Sequence, residues 1–223
     1  EIYTLSLHDA LPIWSAMDLS SVGDIMQRGG TILKTARSQR FMTSEGQQLA
    51  VQNLKQNDID GIVVCGGDGS FRGALELEKQ GFGVMGIPCT IDNDMGYTDF
   101  TIGFDTAVNT VLSAISNLRD TASSHDRTSI IEVMGRNCGD IALYSGVTGG
   151  AECILIPEQP VDLDAVCEKV RASVRREKSH SIIVKAEGVP IPTEELAEQV
   201  AKRTGEEVRT ADQIGRASCR ERV

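Results

Sequence analysis

The chain reads as an α/β protein with mainly parallel sheets, and two observations predict it. Five short apolar runs recur along the 223 residues: DGIVVC (60–65), GVMGI (83–87), SIIEVM (129–134), ECILI (152–156) and SIIVKA (181–186). Each is apolar almost throughout, the pattern of a strand covered on both faces by helices. Amphipathic stretches fill the intervals between them, and strand-helix-strand order implies parallel neighbours joined by crossovers.

Taken in order, the first strand ends at Cys65 and leads through a glycine-rich loop into a helix expected from about Phe71. After Asp105, the residues Val108, Val111, Leu112, Ile115 and Leu118 recur at helical spacing and predict a long connector. Two further helices are expected near 162–178 and 193–204, the second with Pro192-Thr193 as its cap and an acidic first turn. The elements divide into a lobe over 15–103 and a second over 104–210, meeting near Gly103. Residues 1–14 and 211–223 show neither a clear period nor a terminating strand. They read as foreign or disordered segments, which would leave the fold incomplete at both ends.

Composition narrows the class. Hydrophobic residues make up 40% and charged residues 24% of the chain, ordinary for a globular protein. A formal net charge of −10 opposes general attraction to nucleic acid, so an anionic ligand needs a local cluster such as Arg37, Arg127 and Arg136. No apolar run is long enough to span a membrane, and no secretory leader is legible, so a cytoplasmic protein is expected. The six cysteines form no CxxC pair and read as reduced thiols; His8, His125 and His180 have no metal-ligand spacing.

The chemistry-bearing residues gather at strand exits. Gly66-Gly67-Asp68-Gly69-Ser70 joins a strand to a helix, where glycines let backbone amides approach an anion and the helix start supplies free N–H groups. An acidic residue there would repel bare phosphate. Asp68 therefore suits Mg²⁺ riding on phosphates, although a plain Gly-Asp-Gly turn fits the same letters.

The next strand exits into Pro88-Cys89-Thr90-Ile91-Asp92-Asn93-Asp94. Twenty-four residues separate Asp68 from Asp92, the size of a loop, a helix and a strand. Both carboxylates are thus expected at the ends of neighbouring parallel strands, where open α/β folds bind ligands. One can serve metal and the other a proton; the bland alternative is an Asx-rich turn. Met134-Gly135-Arg136 brings a guanidinium to the same edge, and Ala186-Glu187-Gly188 a further carboxylate. Both could equally be solvated surface groups.

Together GGDGS (66–70), PCTIDND (88–94), TDFTIGFDTA (98–107), SSHDRTSIIEVMGR (123–136) and KAEG (185–188) resemble the 6-phosphofructokinase family in order and spacing over about 190 residues. The GGDG element also occurs in NAD and lipid kinases, whereas TIDND followed by MGR is specific. The resemblance implies two Rossmann-like three-layer lobes and transfer of the ATP γ-phosphoryl group to the 1-hydroxyl of fructose 6-phosphate. It implies Asp92 as general base, with Thr90 and Asp94 positioning the sugar. Gly67, Asp68, Gly69, Ser70 and Arg37 would bind ATP, with Asp68 serving Mg²⁺. Arg136 would stabilise the migrating phosphoryl group, and Met134, Gly135 and Glu187 would contact the sugar phosphate.

Arg127 would reach a neighbouring subunit of a homotetramer. An effector site for ADP or phosphoenolpyruvate is implied at Arg119, Glu152, Arg176 and Lys178. Gly69 and Cys89 favour ATP over pyrophosphate, since pyrophosphate users carry Asp and Lys at those places. Cys89 departs from the glycine commonest in ATP users, and Ser179 from a frequent basic residue. The family's first GGDxPG-type loop and its HIQRGG-type segment have no counterpart. The expected chain is therefore inactive alone, and a pyrophosphate-dependent enzyme or a silent phosphosugar-binding remnant are the competing readings.

Overall fold

A computed structural model describes residues 2–7, 12–25, 32 and 38–214. They fall into two compact units, one running through Thr90 and the other beginning at Ile91.

In the first unit, β1 (Ile2–Leu7) and β2 (Pro12–Met17) form an antiparallel hairpin where the sequence showed no strand period. Helix α1 (Ser44–Gln56) starts where the Thr43 hydroxyl accepts the Gly46 N–H at 3.1 Å. Strand β3 (Gly61–Gly66) then leads into α2 (Asp68–Lys79), and β4 (Gly83–Thr90) returns parallel to β3, pairing Gly61 with Gly83 through to Gly66 with Pro88. Val51, Leu54, Leu77 and Phe82 make the core, joined by Ile62 and Val84 from the two strands. Among the described residues the helices cover only that face. The opposite face leaves the register partners Val63 and Met85 62% and 65% exposed, so the expectation of strands covered on both sides fails here.

It holds in the second unit. After the short β5 (Ile102–Gly103) comes α3 (Phe104–Ser123), which buries Phe104, Ala107, Val111 and Ile115 at helical spacing. Strands β6 (Thr128–Val133), β7 (Cys153–Leu155), β8 (Ser181–Ala186) and β9 (Val208–Ile214) form one parallel sheet in the order β7-β8-β6-β9. Consecutive residues Ile182, Ile183 and Val184 are wholly buried, so both faces of the central strand are packed. Helices α3 and α4 (Asp140–Thr148) pack together, as do α5 (Leu163–Arg175) and α6 (Thr193–Thr204).

Capping differs from the expectation at one helix. The Asp162 carboxylate caps α5 by accepting the Asp164 and Ala165 N–H groups, both at 3.0 Å. Thr193, by contrast, is the first residue inside α6 and caps nothing; its hydroxyl is turned to Glu132. No helix among the described residues is long and apolar enough to cross a membrane.

Candidate active site

The glycine-rich segment is tighter than its sequence suggests. Gly66 ends β3, Gly67 occupies the N-cap, and Asp68 already lies in α2, three residues before the expected start. Asp68, Gly69 and Ser70 are therefore the first helical turn, whose N–H groups receive no side-chain cap. The glycines are fitted to this close path: a Cβ on Gly66 would lie 2.5 Å from the Ser70 hydroxyl oxygen, and one on Gly67 3.4 Å from Thr90 Cβ. A Cβ on Gly69 would meet nothing within 4 Å, so space beside the turn is open. The Asp68 carboxylate pairs with Arg72 Nη2 at 2.7 Å on an exposed flank of α2.

Two residues past β4, in the second unit, the Asp92-Asn93-Asp94 turn is held by its middle member. Asn93 adopts a left-handed φ of 54°, a conformation its short amide tolerates. Its Oδ1 accepts the Thr101 N–H at 3.0 Å, and its Nδ2 donates to Asp140 Oδ2 at 2.9 Å, at the start of α4. Asp92 and Asp94 flank Arg136, with Arg136 Nε 3.7 Å from Asp92 Oδ2 and Nη1 3.6 Å from Asp94 Oδ2. These are ion-pair separations, too long for good hydrogen bonds.

Arg136 is aimed by its backbone. Gly135 and Arg136 both have positive φ, 142° and 53°, so two successive N–H groups converge. Glu187 Oε1 accepts both, from Gly135 at 3.1 Å and from Arg136 at 2.6 Å. Gly188 follows so closely that a Cβ there would sit 2.3 Å from the Arg136 carbonyl oxygen. Burial pushes the nearby Cys138 thiol up, and the Asp140, Glu158 and Asp94 carboxylates add to the rise, which argues against a thiolate nucleophile.

One unit thus brings together Asp92, Asp94, Gly135, Arg136 and Glu187, with the half-buried Met134 beside them, while Asp68, Gly69, Ser70 and Thr90 belong to the other. Arg37 lies outside the described residues. Arg127, at the opposite end of β6, pairs with Glu207 at 2.9 Å. Of the effector candidates, Glu152 pairs with Lys178 at 2.7 Å, Arg119 donates to the Gly149 carbonyl, and Arg176 is the C-cap of α5. Sequence reasoning missed Thr101, whose backbone N–H meets Asn93 eight residues away, and Asp140, whose carboxylate meets it 47 residues away, neither of which leaves a local signal.

The family model described as phosphofructokinase matches residues 7–216. The chain belongs to the phosphofructokinase family. It is 58% identical over 193 residues to an ATP-dependent 6-phosphofructokinase of Brevibacillus brevis, covering 86% of this chain and 60% of that one. An ATP-dependent 6-phosphofructokinase of Clostridium botulinum is 51% identical over 212 residues, covering 93% and 66%. The chain spans about three-fifths to two-thirds of these curated relatives' length. Among solved structures, phosphofructokinase from Saccharomyces cerevisiae superposes with a TM-score of 0.85 at 30% identity, over 92% of this chain and 32% of that one.

Proposed function

We propose that this phosphofructokinase-family chain serves transfer of the ATP γ-phosphoryl group to the 1-hydroxyl of fructose 6-phosphate, with Asp92 as general base. The observation that carries the proposal is Arg136 held between Asp92 and Asp94 by a turn built for it. In-line phosphoryl transfer asks mainly for positioning and for neutralisation of charge. Asp92, mostly enclosed by protein and beside a guanidinium, is placed to accept the hydroxyl proton. Arg136 offers a planar donor fork to the migrating group, and Asp94 holds that fork from the far side. Glu187 and Met134 would meet the sugar phosphate.

Asp68 is the residue suited to Mg²⁺, a hard oxygen donor on an exposed helical turn that leaves room for waters and phosphate oxygens. When bound, that ion would offset phosphate charge. The uncapped first turn of α2 and the open space beside Gly69 suit a nucleotide phosphate, and Gly69 and Cys89 favour ATP as donor. Cytoplasmic location, a homotetramer with Arg127 serving a neighbour, and an ADP or phosphoenolpyruvate site around Arg119, Glu152, Arg176 and Lys178 belong to the same proposal.

The test is formation of fructose 1,6-bisphosphate from ATP and fructose 6-phosphate followed by ³¹P NMR, beside calorimetric titration with fructose 6-phosphate. In an intact parent enzyme, Asp92→Ser is expected to lower kcat by roughly 10²–10⁴-fold with similar sugar-phosphate affinity. An unaltered kcat removes Asp92 from the role of base.

A further inference from the structure

Beneath the Arg136 turn lies a buried charge that the proposed chemistry does not use. Lys185 is 2% exposed, and its ammonium donates to Glu132 Oε2 at 3.0 Å. Glu132 and Lys185 are direct register partners on β6 and β8. The same Oε2 also accepts the hydroxyl of Thr193, itself 2% exposed. One carboxylate oxygen therefore receives two donors from two different elements.

Their neighbours make this arrangement unusual. Ile130, Ile131 and Val133 on β6 and Ile182, Ile183, Val184 and Ala186 on β8, the strand neighbours of the pair, are wholly buried. Folding alone would be served as well by an apolar pair, because desolvation offsets most of what a buried ion pair gains. What the charges add is direction. Lys185 and Thr193 bracket the segment Ala186–Pro192, so both ends of that segment are tied to one atom of β6. The segment carries Glu187, which holds the Gly135 and Arg136 N–H groups, and Gly188, which abuts the Arg136 carbonyl.

We infer that Lys185, through Glu132 and Thr193, is a positioning residue that clamps the Glu187 segment onto the Gly135-Arg136 turn and so aims the Arg136 guanidinium between Asp92 and Asp94. The catalytic meaning of that aim rests on the phosphoryl-transfer reading above; the clamp itself does not.

Amide hydrogen exchange on the ¹⁵N-labelled 223-residue chain, read by NMR without ligand, tests it. Lys185→Met should speed exchange at Gly135 and Arg136 on the order of tenfold beyond any change at Ile182, Ile183 and Val184, as for loss of one hydrogen bond to a charged group. Thr193→Val, which keeps shape and the ion pair, should do the same and guards against a Lys185 variant that does not fold. In a Glu187→Ala background neither substitution should add to the exchange at those two amides. Equal acceleration at the three β8 amides would mean a purely structural role and overturn the inference. An effect persisting without Glu187 would also overturn it, as would no change at the turn. Turnover measured in parallel separates the two readings. An inactive unsubstituted chain counts against the proposed activity and leaves the clamp to the exchange data. A loosened turn with unchanged kcat in an active chain overturns the positioning role.

Discussion

Replacing Gly188 by alanine would put a methyl carbon 2.3 Å from the Arg136 carbonyl oxygen and 3.3 Å from both the Arg136 carbonyl carbon and Asn137 Cα. A carbon meets a carbonyl oxygen no closer than about 3.3 Å, so roughly 1 Å of displacement is forced. The obstructing atom is backbone and cannot rotate away. Neither is the turn free to retreat, since the preceding residue Glu187 holds its two N–H groups at 3.1 and 2.6 Å. Overpacking of this kind costs about 1–3 kcal/mol, which urea unfolding at constant m-value resolves as a lowered midpoint. The same displacement moves Arg136 relative to Asp92 and Asp94, and a misplacement of about 1 Å at a reacting centre is worth on the order of 100-fold in rate. Gly69→Ala is the control for stability, because its added Cβ meets nothing within 4 Å and it lies inside a helix, where alanine is favoured by up to about 1 kcal/mol. A Gly188→Ala chain that unfolds within about 0.5 kcal/mol of the parent, with unmoved Gly135 and Arg136 amide shifts, would refute the close-approach argument.

Two other outcomes follow from hydrogen-bonded carboxamide and carboxylate groups. Burial raises the Glu132 pKa, but the Thr193 hydroxyl and the Lys185 ammonium outweigh it and leave the carboxyl below its ordinary value. A depressed folded pKa stabilises the fold above the usual glutamate range near ~4.3, and that share is lost as pH falls through the lower folded value; the acid limb of urea midpoints against pH should therefore be flatter in Glu132→Gln. Asn93→Ala removes the bonds to Thr101 and Asp140 and leaves alanine at φ 54°, for an expected loss of about 2–3 kcal/mol in chemical denaturation; a loss under about 0.5 kcal/mol would mean the turn does not depend on Asn93.

How much of this was readable from the letters varied with how local the cause is. Strands β6 and β8 announced themselves because two covered faces demand unbroken apolar runs; TIDND stood out by its density of polar groups, and MGR only through the family resemblance. Strand β9 did not, since VRTADQI sits at the sheet edge and its polar residues fall in adjacent pairs that break any strand period. The start of α2 was misjudged because Gly67 can serve as an N-cap without a side chain, which moves Asp68 from loop into helix. At the site, Asp92, Asp94, Arg136 and Glu187 were legible as residues, but the use of Glu187 was not. Its bond to the Arg136 N–H spans 51 positions and exists only because β6 and β8 lie side by side. Thr193 misled for a related reason: a threonine at a helix start usually caps locally, and here the half-buried carboxylate of Glu132 on another element takes its hydroxyl.

The face of β3 and β4 that the described residues leave open bears on what stability means for this chain. Val63 and Met85 draw little hydrophobic free energy where they stand, whereas the β6–β8 isoleucines draw nearly all that is available to them. Unfolding would therefore release far less buried apolar surface around Val63 and Met85 than around the β6–β8 isoleucines.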